Sequence, residues 1–429
     1  MRITQRKLYL ILIIFFTGLV LLISGDRQIG IHIFSIAALA IGACIVSKFD
    51  FFHPMCWFPP FFALYSCAYP ILYALGYNTR YGYTKESIVY SWLGLAVFLL
   101  FVSTEKLSIK MSFDHTDNQK SIGRIALLII DLYLVFASVY ISRSSFSGKT
   151  QIYNSHNPFL LLAFTLAYYV VIIYSNELHK KLKRNNTGKV DYLLLFSFSI
   201  VILFGLLTGE RDYMFTILLI SVLLLYFGKR LSKKQLLGLL PLGVILLPLS
   251  HVYKFYLLDK TVSGDLNSSN LLVEFFDGEF ISASRNLQIL VSNNYKYYFD
   301  GKTLLNDLII PFYHTGFSVQ TWFNETFFPT ITTTQYGFTL VGEGYVNWGA
   351  PGVVLVFASL SILVNYLYKY SNKNKYLMVS YMYMVPIIIY SSRADFANVL
   401  SPLLHYALLG ALITYLMDRF DFKRSTKGM

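Results

Sequence analysis

Three short stretches place ionisable side chains where a very apolar sequence offers little water. In Leu207-Thr208-Gly209-Glu210-Arg211-Asp212-Tyr213, three successive charges sit between two apolar runs with almost no loop on either side. Ser392-Arg393-Ala394-Asp395 sets an arginine and an acid in a similarly tight junction, and in Gly342-Glu343-Gly344-Tyr345 a carboxyl lies among glycines just before an apolar run. An Arg or Asp at the centre of a spanning helix costs roughly 2.5–3.5 kcal/mol on insertion scales, so such groups usually face a watery cavity, a partner or a substrate. Semi-burial of Glu343 would draw its titration toward the working pH. His314, in Tyr313-His314-Thr315-Gly316, needs little tuning to titrate there, so these two are the candidates for a general base. The structural alternatives are salt bridges for the arginines, a helix N-terminal carboxylate for Glu343 and an interfacial histidine for His314. His251 and His405, inside apolar runs, read as packed or hydrogen-bonded.

The elements that must position these groups are membrane helices. With 55% apolar residues, 14% charged and a mean hydropathy of +0.53, the 429-residue chain holds more apolar sequence than one soluble core could hide. Several runs approach the roughly 20 residues that cross a hydrocarbon layer, and none shows the alternation of a membrane barrel. The sequence predicts an all-α polytopic protein with twelve spans: Leu8–Ser24, Ile29–Val46, Met55–Leu75, Ile88–Ser103, Ile122–Ile141, Phe159–Ser175, Tyr192–Leu207, Tyr213–Phe227, Leu236–Leu257, Tyr345–Tyr366, Leu377–Ser391 and Pro402–Met417. This divides the chain into nine spans over residues 1–258, a long loop over 259–344, and three spans with a tail over 345–429. The first span follows Arg2, Arg6 and Lys7 and ends without a small-x-small cleavage site, so it reads as a retained anchor.

Placing both termini in the cytoplasm puts about two thirds of the 36 Lys and Arg residues on the inner side, as the positive-inside rule requires. The net charge of +13 is then a topology signal and a contact with anionic inner-leaflet lipid; no basic motif with interleaved aromatics suggests nucleic acid. Cys44, Cys56 and Cys67 fall in apolar runs without CxxC spacing, which implies buried thiols and no disulfide. The acids are dispersed, with no DxD or HxxxH pairing, so neither a metal nor another cofactor is expected. No internal repeat is visible.

The segment Asp259–Gly344 is about 85 residues long, a size that is normally functional or a small domain of its own. Within it, Leu272, Phe276, Phe280, Leu287 and Val291 recur at helical spacing with Glu274, Asp277 and Arg285 between them. That pattern predicts an amphipathic helix lying on the outer membrane face or packed on the bundle. A second apolar stretch, Leu304–Phe312, leads to His314.

Gly209-Glu210-Arg211, Tyr298-Phe299-Asp300-Gly301-Lys302-Thr303-Leu304 followed by Ile310-Pro311, Gly342-Glu343-Gly344-Tyr345-Val346-Asn347-Trp348-Gly349 and Ser392-Arg393-Ala394-Asp395-Phe396, in that order, resemble the O-antigen and capsule repeat-unit polymerases of Wzy type. The resemblance covers Leu206 to about Ala411; the first six spans match only in hydropathy. It implies an inner-membrane glycosyltransferase of GT-C architecture, related to O-antigen ligases, that joins undecaprenyl-pyrophosphate-linked repeat units at the outer face. Those lipid-linked glycans are then donor and acceptor, and a flippase and a chain-length regulator are expected partners. Such a site must hold a pyrophosphate leaving group, for which arginine's planar fork is suited. Arg211 and Arg393 are the first candidates and Arg285 a third, with a surface role for Arg285 as the alternative. Glu210, Asp212, Asp395, Tyr345 and Asn347 support them. A ligase would share this fold and chemistry and differ in acceptor; a lipid-linked glycan flippase would instead show duplicated halves and central intramembrane charge.

Overall fold

The computed structural model describes residues 5–77, 79–105, 121–144, 149–183, 191–239, 273, 275, 276, 280–313, 315–329 and 337–427. All regular structure among them is helical. Seven helices are long and apolar enough to cross a membrane: Gln5–Ile23, Ile29–Val46, Pro54–Ala74, Ile122–Arg143, Pro158–Leu182, Ala350–Ser371 and Ala397–Asp421. The chain is a multi-pass membrane protein. Helices Lys85–Phe101, Tyr192–Thr208, Arg211–Phe227 and Lys375–Ser391 coincide with further sequence spans. Each has 17 residues, which at a rise of about 1.5 Å per residue falls short of a hydrocarbon layer of about 30 Å. The ninth sequence span, Leu236–Leu257, lies almost wholly outside the described residues.

The described helices are labelled α1 (Gln5–Ile23), α2 (Ile29–Val46), α3 (Pro54–Ala74), α4 (Lys85–Phe101), α5 (Ile122–Arg143), α6 (Lys149–Asn154), α7 (Pro158–Lys183), α8 (Tyr192–Thr208), α9 (Arg211–Phe227), α10 (Ile281–Ser292), α11 (Lys302–Ile309), α12 (Val319–Phe327), α13 (Leu340–Trp348), α14 (Ala350–Ser371), α15 (Lys375–Ser391), α16 (Ala397–Pro402) and α17 (Leu409–Lys427), the last two joined by a π-helical turn, Leu403–Leu408. They form two compact units. The first comprises residues 1–107, 266–369 and 387–402, and the second 108–265, 370–386 and 403–429.

In the first unit α3 is the central helix, with 78% of its apolar window buried. His53 Nδ1 caps it by accepting from the Met55 N–H at 3.2 Å, and Pro59, Pro60 and Pro70 lie inside it. The Tyr69 N–H beside Pro70 donates to Ser284 Oγ of α10 at 3.0 Å. Small residues let the other helices approach: Gly18 of α1 packs on Trp92 of α4, and Gly94 of α4 on Phe357 of α14. Trp92 Nε1 also donates to Thr17 Oγ1 at 3.1 Å.

The second unit gathers α5, α7, α8, α9 and the final helix. Asp131, fully buried in the middle of α5, accepts from Ser197 Oγ of α8 at 2.5 Å. Arg124 forms a two-pronged pair with Asp191 at 2.7 and 2.9 Å. Asp418 receives Lys180 at 2.6 Å and Lys375 at 2.5 Å, and Lys180 also meets Glu177 at 2.5 Å. Cys44, Cys56 and Cys67 of the first unit are buried free thiols.

Two sequence boundaries move for visible reasons. The tenth span, drawn from Tyr345, begins at Ala350, because the chain turns at Gly349 (φ 62°, ψ −132°) and leaves α13 as a separate helix. Of the two placements expected for the Leu272–Val291 pattern, α10 takes the packed one: every residue from Ile281 to Val291 is buried in the first unit, against α3 and α4.

Candidate functional site

The site in the first unit is built on glycines. A Cβ on Gly344 would stand 2.5 Å from the Val353 backbone nitrogen, and one on Gly352 would collide with the Gly344 carbonyl. Only hydrogen at both positions lets α13 fold back on the start of α14. That corner buries Glu343 completely. Residues 293–301 are moulded onto the same corner: Phe299 N–H donates to Val346 O at 3.0 Å, Gly301 N–H to Asn347 Oδ1 at 2.9 Å, and Trp348 Nε1 to Asp300 Oδ1 at 3.1 Å. Asn294, Tyr297 and Asp300 all take the left-handed backbone, at φ 54°, 64° and 48°. Such a conformation is uncommon outside glycine, and three within seven residues persist only because these bonds fix the loop.

The loop delivers α11 to Glu343. Glu343 Oε1 accepts from the Thr303 hydroxyl at 3.3 Å, and Oε2 from the Phe396 N–H at 2.6 Å. Asn347 Nδ2 donates to Thr303 Oγ1 at 2.6 Å and to the Glu343 carbonyl at 2.8 Å. Asp307, one turn beyond Thr303, accepts from the Ala397 N–H at 3.1 Å and adjoins Glu343. Burial, then the adjoining charge of Asp307, pushes Glu343 well above the usual carboxylate range. Asp307 is raised as well, chiefly by burial. Burial also raises Asp395, whose Oδ1 accepts from the Asn398 N–H at 3.2 Å and from Asn398 Nδ2 at 2.6 Å. The Asp307 and Glu343 shifts favour the protonated forms, and the bonds to Thr303, Phe396 and Ala397 tie α11, α13 and the turn before α16 together.

Two arginines are carried by elements that meet at one backbone residue, Gly337. The side chain of Asn286 donates to the Gly337 carbonyl, and Gly337 itself presses on the Arg393 carbonyl oxygen, leaving no room for a Cβ. Gly337 thus bridges α10, which carries Arg285, to the turn that carries Arg393. Arg285 is only 8% exposed, which removes the surface role that its charge alone suggested. Its guanidinium lies 5.3 Å from the Phe328 ring, and that of Arg393 lies 4.5 Å from the Tyr390 ring.

Among the residues singled out in the sequence, Glu343, Tyr345, Asn347, Arg285, Arg393 and Asp395 fall in the first unit. Tyr345 is buried edge-on to Tyr90, with ring centres 5.0 Å apart. Glu210, Arg211 and Asp212 belong to the second unit. There Gly209 ends α8 in the left-handed conformation (φ 67°), Glu210 is the buried N-cap residue of α9, and Arg211 opens that helix. Around this junction Tyr168 packs on Tyr213 and Tyr406 at 4.6 and 4.4 Å. His314 lies outside the described residues. Sequence reading passed over Thr303 and Asp307. Their signal was an i, i+4 polar pair in the largely apolar stretch that ends at Phe312, a spacing that puts both on one helical face. Among the described residues no three His, Cys, Asp or Glu side chains form a group that could hold a metal ion.

Neither the family models, nor the curated proteins, nor the solved structures compared with this chain give a match.

Proposed function

We propose that the protein is a polysaccharide repeat-unit polymerase of the bacterial cytoplasmic membrane, with twelve spans of GT-C type and both termini in the cytoplasm. It joins undecaprenyl-pyrophosphate-linked oligosaccharides at the outer face into O-antigen or capsular polymer. The single observation that carries this reading is that α10, which carries the buried Arg285, and the turn that carries Arg393 both meet Gly337, while the same turn is bonded through the Phe396 N–H to the buried Glu343.

In the reaction an acceptor-sugar hydroxyl attacks the anomeric carbon of the donor glycan. A C–O bond forms there, the bond to the pyrophosphate breaks with its electron pair, and undecaprenyl pyrophosphate leaves. Arg285 and Arg393 neutralise charge as it develops on that phosphate, and their fixed positions avoid reorganisation during the step. Arg211 is the remaining phosphate candidate in this reading. Burial favours the protonated form of Glu343, and its carboxyl is bonded to Thr303 and to the Phe396 N–H, so its part is to hold Asp307 and the 393–396 turn in place. The proton of the acceptor hydroxyl then falls to His314. Neither a metal nor a cofactor enters the scheme, and a flippase and a chain-length regulator act with the enzyme.

The test is the purified protein in vesicles with undecaprenyl-pyrophosphate repeat units, with and without EDTA, read as a glycan ladder. Arg393→Ala and Arg285→Ala are each expected to slow polymer growth by about 100–1,000-fold, the scale for losing one preorganised oxyanion donor. Full-rate polymer from either variant removes that arginine from the mechanism. Absence of polymer from the unsubstituted protein under every condition, with single units carried across the membrane or moved onto a different acceptor, replaces the reading with flippase or ligase.

A further inference from the structure

Helix α11 is built inside out. Its polar residues Thr303 and Asp307 are the buried ones, whereas Leu305, Leu308, Ile309 and, just past the helix end, Phe312 are 62, 56, 48 and 80% exposed. The spacing i, i+3, i+4, i+7 makes these four a single stripe. In water such a stripe leaves four large apolar side chains without the gain that burial brings. The arrangement is stable only against an apolar medium.

The identity of that medium follows from where α11 is anchored. Asp307 accepts from the N–H of Ala397, the first residue of the span Ala397–Asp421. Thr303 and Gly301 are bonded to Glu343 and Asn347, within the two helical turns that precede the span Ala350–Ser371. The helix is thus pinned at the level where two spans begin. Its eight residues cover about 12 Å, far less than the thickness of about 30 Å needed to cross. Exposed Lys302 stands at one end and exposed Tyr313 just beyond the other, the residue types that mark the headgroup layer. The stripe between them is free of charge.

We propose that α11 is a non-spanning interfacial helix, with Leu305, Leu308, Ile309 and Phe312 immersed in the acyl chains of one leaflet and Asp307 turned toward the protein. Lipid and the Asp307–Glu343 pair then lie on opposite sides of one helix. The inference rests on polarity and anchoring alone and stands apart from the reaction proposed above.

The experiment uses the full chain in phosphatidylcholine–phosphatidylglycerol vesicles, spin-labelled singly at Leu305→Cys, Leu308→Cys and Ile309→Cys, with Arg27→Cys as a loop control. The three native cysteines are buried, and the unsubstituted protein gives the background. At all three α11 positions the ratio of oxygen to water-soluble nickel-chelate collisions is expected to exceed the control several-fold. A nickel-dominated ratio, meaning water, overturns the proposal. So does a label closed to both reagents, meaning cover by a second copy or another part of the chain. Leu308→Trp provides a check that needs no cysteine. Its added fluorescence should be quenched by acyl-brominated lipid, and unquenched added fluorescence counts against the proposal as fully as the nickel result.

Discussion

Replacing Glu343 should change how stability depends on pH, in a direction set by its raised titration. An unfolded glutamate titrates at about 4.3, whereas burial and the charge of Asp307 hold Glu343 well above that in the fold. Below the unfolded value both states bind the proton and the pair's stabilisation is complete. As pH rises the unfolded chain releases its proton first, so stability falls until the folded group also titrates, by up to about 1.4 kcal/mol per pH unit for one proton. Glu343→Gln keeps an oxygen for the Phe396 N–H and an N–H donor toward Asp307, but has no proton to lose. Its stability curve should be flatter than that of the unsubstituted protein above about pH 5. Glu343→Ala removes the acceptors for Phe396 and Thr303 and leaves Asp307 without its carboxyl partner. At about 1–3 kcal/mol per stranded buried group, the loss is several kcal/mol at any pH. Thermal unfolding in detergent micelles between pH 5 and 8 measures both effects. An unsubstituted protein that gains stability across that range, or a Gln variant with an unchanged slope, refutes the raised titration of Glu343.

Gly344→Ala should destabilise the α13–α14 corner by more than the roughly 1–3 kcal/mol of ordinary overpacking, because its Cβ meets backbone at Val353. Gly25→Ala, with nothing within 4 Å of its Cβ, serves as the control, and equal melting temperatures for the two would contradict the corner's geometry. Asp418→Ala leaves Lys180 and Lys375 without their shared carboxylate. The expected cost is about 3 kcal/mol, the lower end of the range for breaking a buried pair, since the Lys375 side chain is 34% exposed. Adding Lys180→Met should recover part of that loss. Ser197→Ala, which takes the hydrogen bond from Asp131, should cost only about 0.6–1.7 kcal/mol, as polar contacts between membrane helices generally do.

The helices of the membrane domain were legible because composition and run length report directly on the solvent a segment must meet. Ile29–Val46 agrees to the residue, α5 and α7 cover their sequence spans and run past them at the C-terminal end, and α1 and α3 each start before their spans and stop one residue short of Ser24 and Leu75. Where the sequence misled, backbone geometry was responsible. Tyr345–Tyr366 reads as one apolar run, and hydropathy has no means of registering that Gly344, Gly349 and Gly352 make it a corner. The same blindness hid the length of the last helix, which starts at Ala397 and carries the π-helical turn Leu403–Leu408.

The candidate site was legible in its parts and not in its assembly, and the reason is the solvent assumed for the long segment. Read as a loop in water, Leu304–Phe312 offers apolar side chains for burial and Thr303 and Asp307 for exposure, whereas the fold does the reverse. Likewise Ser282, Ser284, Arg285, Asn286 and Gln288 make α10 look like a surface helix. Instead Ser284 accepts from Tyr69, Asn286 reaches Gly337, and Gln288 accepts from Ser87 at 2.9 Å and from the Thr84 N–H at 3.2 Å. Inside a membrane protein polar side chains point inward to bond one another and apolar ones point outward to lipid, so the usual rule of burial inverts for any segment that lies at membrane depth. Applied to residues 280–313, that inversion turns Arg285 from a surface charge into a site residue and brings Asp307 to Glu343. It also gives α11 its lipid-facing stripe. One physical change of reference therefore accounts for what sequence reading missed in both helices.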